Sequence, residues 1–472
     1  MDAQQLISTL QASLSDLSHH LSSSKSTNNV NVTTIFSTVQ AAFGALESTI
    51  LPSDVHIYRT TFLYQVPVAL GVVVDLGLPE VISAATARGG QEEGISSKAL
   101  ERRTGVPWGK ISRLLRLLCG RGFFREVRPD VWAHTRHSLA LDSGLSYETI
   151  VQNPLQRFSM GDSTVPAWVN LMNDVTHKAS VGMLDAFRHK KSVKSYSATD
   201  APFTFAYGTD KTLWEWLYVV DGGHRMPNFM KAMEFTNSLM MTDMSLYPWA
   251  HLGPDAIFVD VGGGNGSAVA SILPFASNIH KAIVQDLPPV IELAKSYWAG
   301  QHNSNLVRSE KVVLQAHDFF TEQPVKGAHA YFLKYIVHDW SDQAAITIMK
   351  HLYDAAADYS RLLVQDIVVS HACHDLGGVD HNAVDGAYPP AFLAPLPANG
   401  GLANENQLAL DISVMQLLNG QERTHLHLKA IAAQAGWDPV KVYGLSHNGG
   451  ATKITEFKKK LAKGDLKLVS KL

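Results

Sequence analysis

The sequence predicts an α/β protein, with a Rossmann-like domain preceded by a mainly α-helical region built around a winged helix. Three observations lead there. From about residue 250, short β-branched runs alternate with helical segments, the signature of βαβ units. Residues 95–135 read as helix, turn, helix and two-stranded wing. A glycine-rich turn, GGGNG at 262–266, directly follows the first of the β-branched runs.

The 472 residues allow two to three domains. Four segments are expected: an extension and linker at 1–32, a winged-helix domain at 33–150, a helical connecting and pocket region at 151–250, and the α/β domain at 251–472 with a loop insertion at 371–406. Leu6, Leu10, Leu14 and Leu17 fall near helical spacing, while SSSKSTNNVN (22–31) has linker composition. In the winged-helix segment, Ser96 or Ser97 caps the first helix and Gly105 and Pro107 punctuate the turn. Ile111, Leu114, Leu115 and Leu118 make one apolar stripe of the second helix, and FFREVRPDVWAHT resembles a two-stranded wing.

A net charge of −3 argues against a nucleic-acid partner, even though Arg113, Arg116 and Arg121 cluster on the winged helix. The longest apolar run, Val66–Val74, is far below the roughly 20 residues a membrane span needs. The N-terminus MDAQQLISTLQ lacks the basic-then-apolar pattern of a signal peptide. Two cysteines, Cys119 and Cys373, make no disulfide framework. A cytoplasmic location and no membrane partner are the resulting expectations. His371, Cys373, His374 and His381 are loosely spaced in a Gly/Pro-rich loop without a second fixed pair, so no metal is expected.

The chemistry concentrates at strand ends. In AIFVDVGGGNGSAVASIL (256–273), Gly262 and Gly264 let the backbone turn tightly and let a ligand approach, and a helix opens near Ser267. Asp260 precedes this turn, and an anion there disfavours a pyrophosphate and suits a cationic or neutral ligand. The D-x-G-x-G-x-G spacing therefore points to S-adenosylmethionine rather than NAD. Asp286 in KAIVQDLPPVI ends the next run about 20 residues on, where a carboxylate accepts ribose hydroxyls; a simple helix cap is the alternative. Asp318 and Phe319 in QAHDFF suit an exocyclic amine and an adenine face. In FLKYIVHDWSD (332–342), Lys334 lies inside a fourth strand, which His338 ends; a general base and a helix-capping histidine are both open for this residue. Phe229, Met233, Thr236 and Met240 share one face of a helix, either as core or as a pocket wall.

The series VDVGGGNG, QDLPPVI, HDFF, LKYIVHDWSD, VQDIVV and NGQERT resembles the plant-type and fungal small-molecule O-methyltransferases, the caffeate O-methyltransferase-like family. The resemblance covers most of the chain from about residue 55. It implies a class I methyltransferase domain behind a winged-helix dimerisation domain, a homodimer, and S-adenosylmethionine held by Asp260, Gly262, Gly264, Asp286, Leu287, Asp318, Phe319 and Lys334. It further implies His338 as general base flanked by Asp366 and Glu422, with Asp366 standing where the family more often carries the longer Glu. The acceptor, a hydroxylated aromatic or polyketide-like molecule, is implied along Phe229, Met233, Thr236, Met415 and Asn419. Thr236 replaces a frequent histidine, which shifts the acceptor away from plant phenylpropanoids. Some fungal members of this family keep S-adenosylmethionine but catalyse dehydration or pericyclic ring closure, and that is the second expectation.

Overall fold

The structure is a computed structural model that describes residues 3–22, 29–89, 94–240, 243–300, 304–374, 384–386, 392–444 and 452–460. The chain forms two compact units, one of residues 1–50, 241–415 and 419–472, the other of 51–240 and 416–418. These cut the chain differently from the expected segments: residue 50 divides the 33–150 segment, and 151–240 groups with the winged helix.

In the helical unit, α3 (Ser53–Thr61), α4 (Gln65–Asp75) and α5 (Leu78–Gly89) lead into the winged helix. This comprises β1 (Ile95–Ser96), α6 (Ser97–Thr104), α7 (Trp108–Cys119), β2 (Phe124–Arg128) and β3 (Val131–His134), paired in the order β1-β3-β2. Of the two serines expected to cap α6, Ser96 does so, accepting the Ala99 N–H, and Gly105 ends the helix in the left-handed region at φ 73°. Ser97 instead binds Ser112 and the Trp132 indole N–H, each at 2.7 Å, which satisfies three buried polar groups together. Arg116 on the exposed side of α7 pairs with Asp130.

Ser53–Asp75 is long and apolar enough, by length and composition alone, to cross a membrane, a signal that counting unbroken apolar residues does not register. It is broken at Phe62–Tyr64 into two helices, and α4 buries Ala69, Val73 and Val74 against α7 and its neighbours.

The other unit starts with α1 (Ala3–Ser22) and α2 (Asn29–Ile50). The leucine spacing thus gives a full helix, whereas residues 23–28 of the expected linker lie outside the described residues. Leu6, Ala41, Ala42 and Ala45 bury against Leu396, far along the chain. The sheet consists of β4 (Ala256–Val261), β5 (Ile279–Asp286), β6 (Val312–Ala316), β7 (Ala330–Lys334), β8 (Arg361–Ile367), β9 (Trp437–Gly444) and β10 (Thr452–Lys459) in the order β6-β5-β4-β7-β8-β10-β9. β4 to β8 are parallel, and β10 runs antiparallel to both of its neighbours. The order reverses between β4 and β7, and in open α/β sheets ligands bind at the carboxyl ends of strands at such a switch. Both faces are covered: Ala345, Ile348, Met349 and Leu352 belong to one core, and Val269, Ile272 and Trp298 to the other.

One expected strand is shorter than anticipated. β7 stops at Lys334, not at His338, because Tyr335 adopts φ 53° and turns the backbone out of the sheet. Left-handed geometry is costly for a non-glycine residue and persists where surrounding structure enforces it. Of the insertion, 375–383 and 387–391, including His381, lie outside the described residues. His374 engages the Leu396 carbonyl at 2.7 Å, and no metal-holding group of His, Cys, Asp or Glu occurs among the described residues.

Candidate active site

The turn after β4 is held by its own glycines and by Asp286. Gly262, Gly264 and Gly266 have φ of 71°, 58° and 83°. A Cβ on Gly262 would lie 2.6 Å from Ile336 Cδ1, whereas one on Gly264 would meet nothing within 4 Å. The turn is therefore closed on one side and open on the other. At the end of β5, Asp286 accepts the Gly264 N–H at 2.8 Å and the Leu287 N–H at 2.7 Å, one per carboxylate oxygen. It thus ties the turn to β5 and fixes the start of the following helix, and each oxygen keeps a lone pair for a ligand hydroxyl.

Asp260 differs from its expected state. The sequence suggests a standing anion; in the structure burial pushes its carboxyl up to about 7, against the lowering effect of Lys334. Both of its oxygens are buried without a hydrogen-bond partner. Lys334 on adjacent β7 is pushed down to about 8 by burial, offset by Asp260 and Asp366. Its ammonium stands 4.5 Å from the Tyr335 ring centroid. A cation held near the turn would draw Asp260 back into its ionised form, so this orphaned acid fits a cationic ligand. Phe319 packs edge-on against Trp340 and approaches the Gly262 position, while the exposed Asp318 spends one oxygen on the Phe320 N–H. These residues fit the S-adenosyl group expected from the sequence: Asp286 for the ribose, Asp318 and Phe319 for the base, and Gly262, Gly264 and Asp260 around the turn.

His338 sits in a single 3-10 turn, Val337–Asp339, past β7. It does not cap the next helix, which Ser341 caps through the Ala344 N–H. Its Nδ1 lies 2.7 Å from Oε1 of the fully buried Glu422, and its Nε2 lies 3.4 Å from Asp339 Oδ1. Asp366, on β8, belongs to the same charge cluster but makes no hydrogen bond to the ring, and its Oδ1 is buried without a partner. Of the two expected flanking acids, only Glu422 grips the imidazole. Burial works against an imidazolium at 338, but Glu422 and Asp339 outweigh it and raise the ring to about 10. Burial raises Asp366 to about 8 and Asp339 to about 6.

Asp339 was not singled out by sequence reasoning, although its place directly after His338 was the available signal. The clamp around the turn was also missed. Gln421 N–H donates to the His338 carbonyl at 2.8 Å. Arg423, itself buried, donates to the Val337 and Trp340 carbonyls, each at 2.7 Å, and to Asp342. Gly420 packs so closely that a Cβ would lie 2.2 Å from the His338 carbonyl. NGQERT thus both supplies Glu422 and holds the backbone that carries His338. Replacing Arg423 with Leu takes this donor from the Trp340 carbonyl, leaves the Val337 carbonyl with only the 3.4 Å contact of the Trp340 N–H, and is expected to cost about 1–3 kcal/mol. Urea unfolding measures this, and a loss under about 1 kcal/mol contradicts the clamp.

Asn419, at φ 54°, ends the helix Glu405–Leu418 beside this segment, its N–H on the Met415 carbonyl. Phe229, Met233 and Thr236 are half-buried on the helix Arg225–Met240 of the other unit. Phe229 packs edge-on against Trp214, and Thr236 spends its hydroxyl on the Met233 carbonyl.

The sheet order and the glycine turn at its switch point define a Rossmann-like enzyme of the class I methyltransferase fold. The profile of the O-methyltransferase domain matches residues 183–381. The chain is 31% identical over 420 residues to 4-O-methyltransferase 1 of Phanerochaete chrysosporium, covering 87% of this chain and 86% of that protein. It is 29% identical over 432 residues to O-methyltransferase gedA of Aspergillus terreus, covering 84% and 82%. The chain belongs to the O-methyltransferase family. Solved structures share the fold: a pericyclic reaction enzyme (TM-score 0.69, 21% identity, 95% of this chain and 99% of that one) and the mitomycin 7-O-methyltransferase MmcR (0.63, 22%, 89% and 99%). So does LepI in complex with S-adenosylmethionine (0.68, 21%, 95% and 98%).

Proposed function

We infer that the chain is an S-adenosylmethionine-dependent O-methyltransferase acting on a hydroxyl of a small aromatic or polyketide-like metabolite, with His338 as general base. The observation that carries this reading is the 2.7 Å contact of His338 Nδ1 with buried Glu422, which fixes one ring nitrogen and leaves Nε2 for an acceptor. When bound, the sulfonium supplies an electrophilic methyl carbon and a good leaving group. Glu422 sets the imidazole orientation and stabilises its protonated form. Asp339, weakly engaged at 3.4 Å, yields Nε2 to the incoming hydroxyl. His338 takes the hydroxyl proton as the oxygen–methyl bond forms, and a phenol of pKa about 10 matches a ring raised to about 10. Positioning does the rest, and no metal enters the step.

The pericyclase alternative is supported by fold alone. It requires no base, whereas His338 and Glu422 form a base-and-orienter pair. Incubation with methyl-labelled S-adenosylmethionine and a panel of hydroxylated polyketides and pyridones separates the two: label in product with release of S-adenosylhomocysteine is expected, and product formed with S-adenosylmethionine intact contradicts methyl transfer.

Ile57, Tyr58, Phe62, Leu63 and Tyr64 form an exposed apolar stretch on α3 and the turn after it, the kind of surface a partner covers. We assign it to a second copy of the chain, so sedimentation is expected at twice the 51.6 kDa chain mass, and a monomer at micromolar concentration contradicts it. Cys119 and Cys373 are both unpaired, in keeping with a reducing, cytoplasmic setting.

A further inference from the structure

The helical unit holds a half-open cavity of about 530 Å³ lined wholly by its own residues, which run in sequence from Val68 to Phe229. That volume falls within the range of small-molecule sites. Of the acceptor residues expected from the sequence, Phe229 is in its wall, but Met233 and Thr236 are not. Most of the wall is apolar, including Val68, Leu76, Leu171, Leu217 and Phe229. One side is a seven-residue π-helical turn, Leu171–His177, a rare geometry often found at functional sites.

Several polar groups of the cavity wall are already paired, and one buried atom is not. Arg225 pairs with Asp174 and, at 2.7 Å, with Asp221, whose φ of 52° turns the backbone toward it. Asp75 pairs with buried Arg157. His224 meets Gln156, and His177 stacks on Tyr64. Asn228 donates to the Leu155 carbonyl at 2.8 Å, yet its Oδ1 is buried without a partner. An orphaned buried acceptor is costly and is satisfied by a donor brought from outside. Three carboxylates against two guanidinium groups leave the surroundings slightly negative, which disfavours an anion.

We propose that this cavity is a ligand site for an uncharged, mainly apolar aromatic molecule carrying one hydrogen-bond donor, which Asn228 Oδ1 receives. The site is built by the helical unit alone and stands whether or not His338 is the base.

The test is direct binding to the full chain by calorimetry with three probes: 2-naphthol, 2-methoxynaphthalene, which lacks the donor, and 2-naphthoate, which is anionic. 2-Naphthol is expected to bind roughly tenfold more tightly than either of the others. Val72→Trp fills the cavity, and Asn228→Leu removes the acceptor at similar volume. Each is expected to weaken 2-naphthol binding roughly tenfold, with Asn228→Leu also abolishing the preference over 2-methoxynaphthalene. Asn228→Leu carries the test if Val72→Trp disturbs folding. His338→Ala is expected to leave 2-naphthol binding unchanged, which separates this site from the methyl-transfer reading. 2-Naphthoate binding as tightly as 2-naphthol, or 2-naphthol binding indifferent to both cavity substitutions, overturns the proposal.

Discussion

His338→Ala is expected to lower kcat for methyl transfer by roughly 10²–10⁴, the usual contribution of a positioned general base, with S-adenosylmethionine still bound. The two effects are expected to separate because the ring lies in the turn after β7, whereas the residues expected to hold the cofactor, apart from Lys334 at the end of β7, lie on β4 and the turn after it, at the end of β5 and after β6. Single-turnover kinetics and calorimetry measure them independently, and loss of cofactor binding in this variant contradicts the role assigned to His338. The wild-type rate carries a further signature. A base acts in its neutral form, and Glu422 and Asp339 hold the ring protonated to about 10. The kcat/KM profile of the free enzyme therefore rises with pH above 7, and a flat profile from pH 6 to 10 contradicts it. The sign for stability is the opposite. A pKa raised from 6.5 to about 10 contributes stability that is present below 6.5 and is lost as pH rises toward 10.

Glu422→Gln produces the second large effect. It removes the strongest influence raising the ring's pKa, and burial, which lowers it, gains ground. The rising limb of the pH profile moves to lower pH. The amide also permits the wrong tautomer, a change that costs about 10⁴ in kcat in the serine-protease triad. A fall in kcat of roughly 10²–10⁴ is expected here. The conservative Glu422→Asp keeps the charge at a longer distance and is expected to recover part of the rate without restoring the full pH shift. A drop in kcat with no movement of the profile means that Glu422 acts through packing rather than through the imidazole.

The fold was legible where the local signal is strong. β4 to β8 are short, mainly apolar runs bounded by turn residues, and the glycines at 262–266 announce a tight turn whatever surrounds them. β9 and β10 were not anticipated. WDPVKVYG carries Pro439 and KITEFKK alternates charge, so neither reads as a central strand, and their pairing is settled across the chain by β8. The grouping of α1 and α2 with the C-terminal unit was equally hidden, since it rests on contacts such as Leu6 and Ala42 with Leu396.

The site divides in the same way. His338 and Glu422 stood out through motif order. Their contact, and the clamp from Gln421 and Arg423, join residues more than 80 positions apart and cannot be read from spacing. The charge states of Asp260 and Asp366 depend on burial, and composition says nothing about the burial of a given carboxylate.

The central claim is that Nε2 of His338 faces the acceptor oxygen. A crystal structure of the chain with S-adenosylhomocysteine and a hydroxylated acceptor tests it most directly. The acceptor hydroxyl is expected to replace Asp339 at Nε2, within about 2.6–3.2 Å, while Nδ1 stays on Glu422. An imidazole still turned to Asp339, with the acceptor oxygen out of hydrogen-bond reach, contradicts the account.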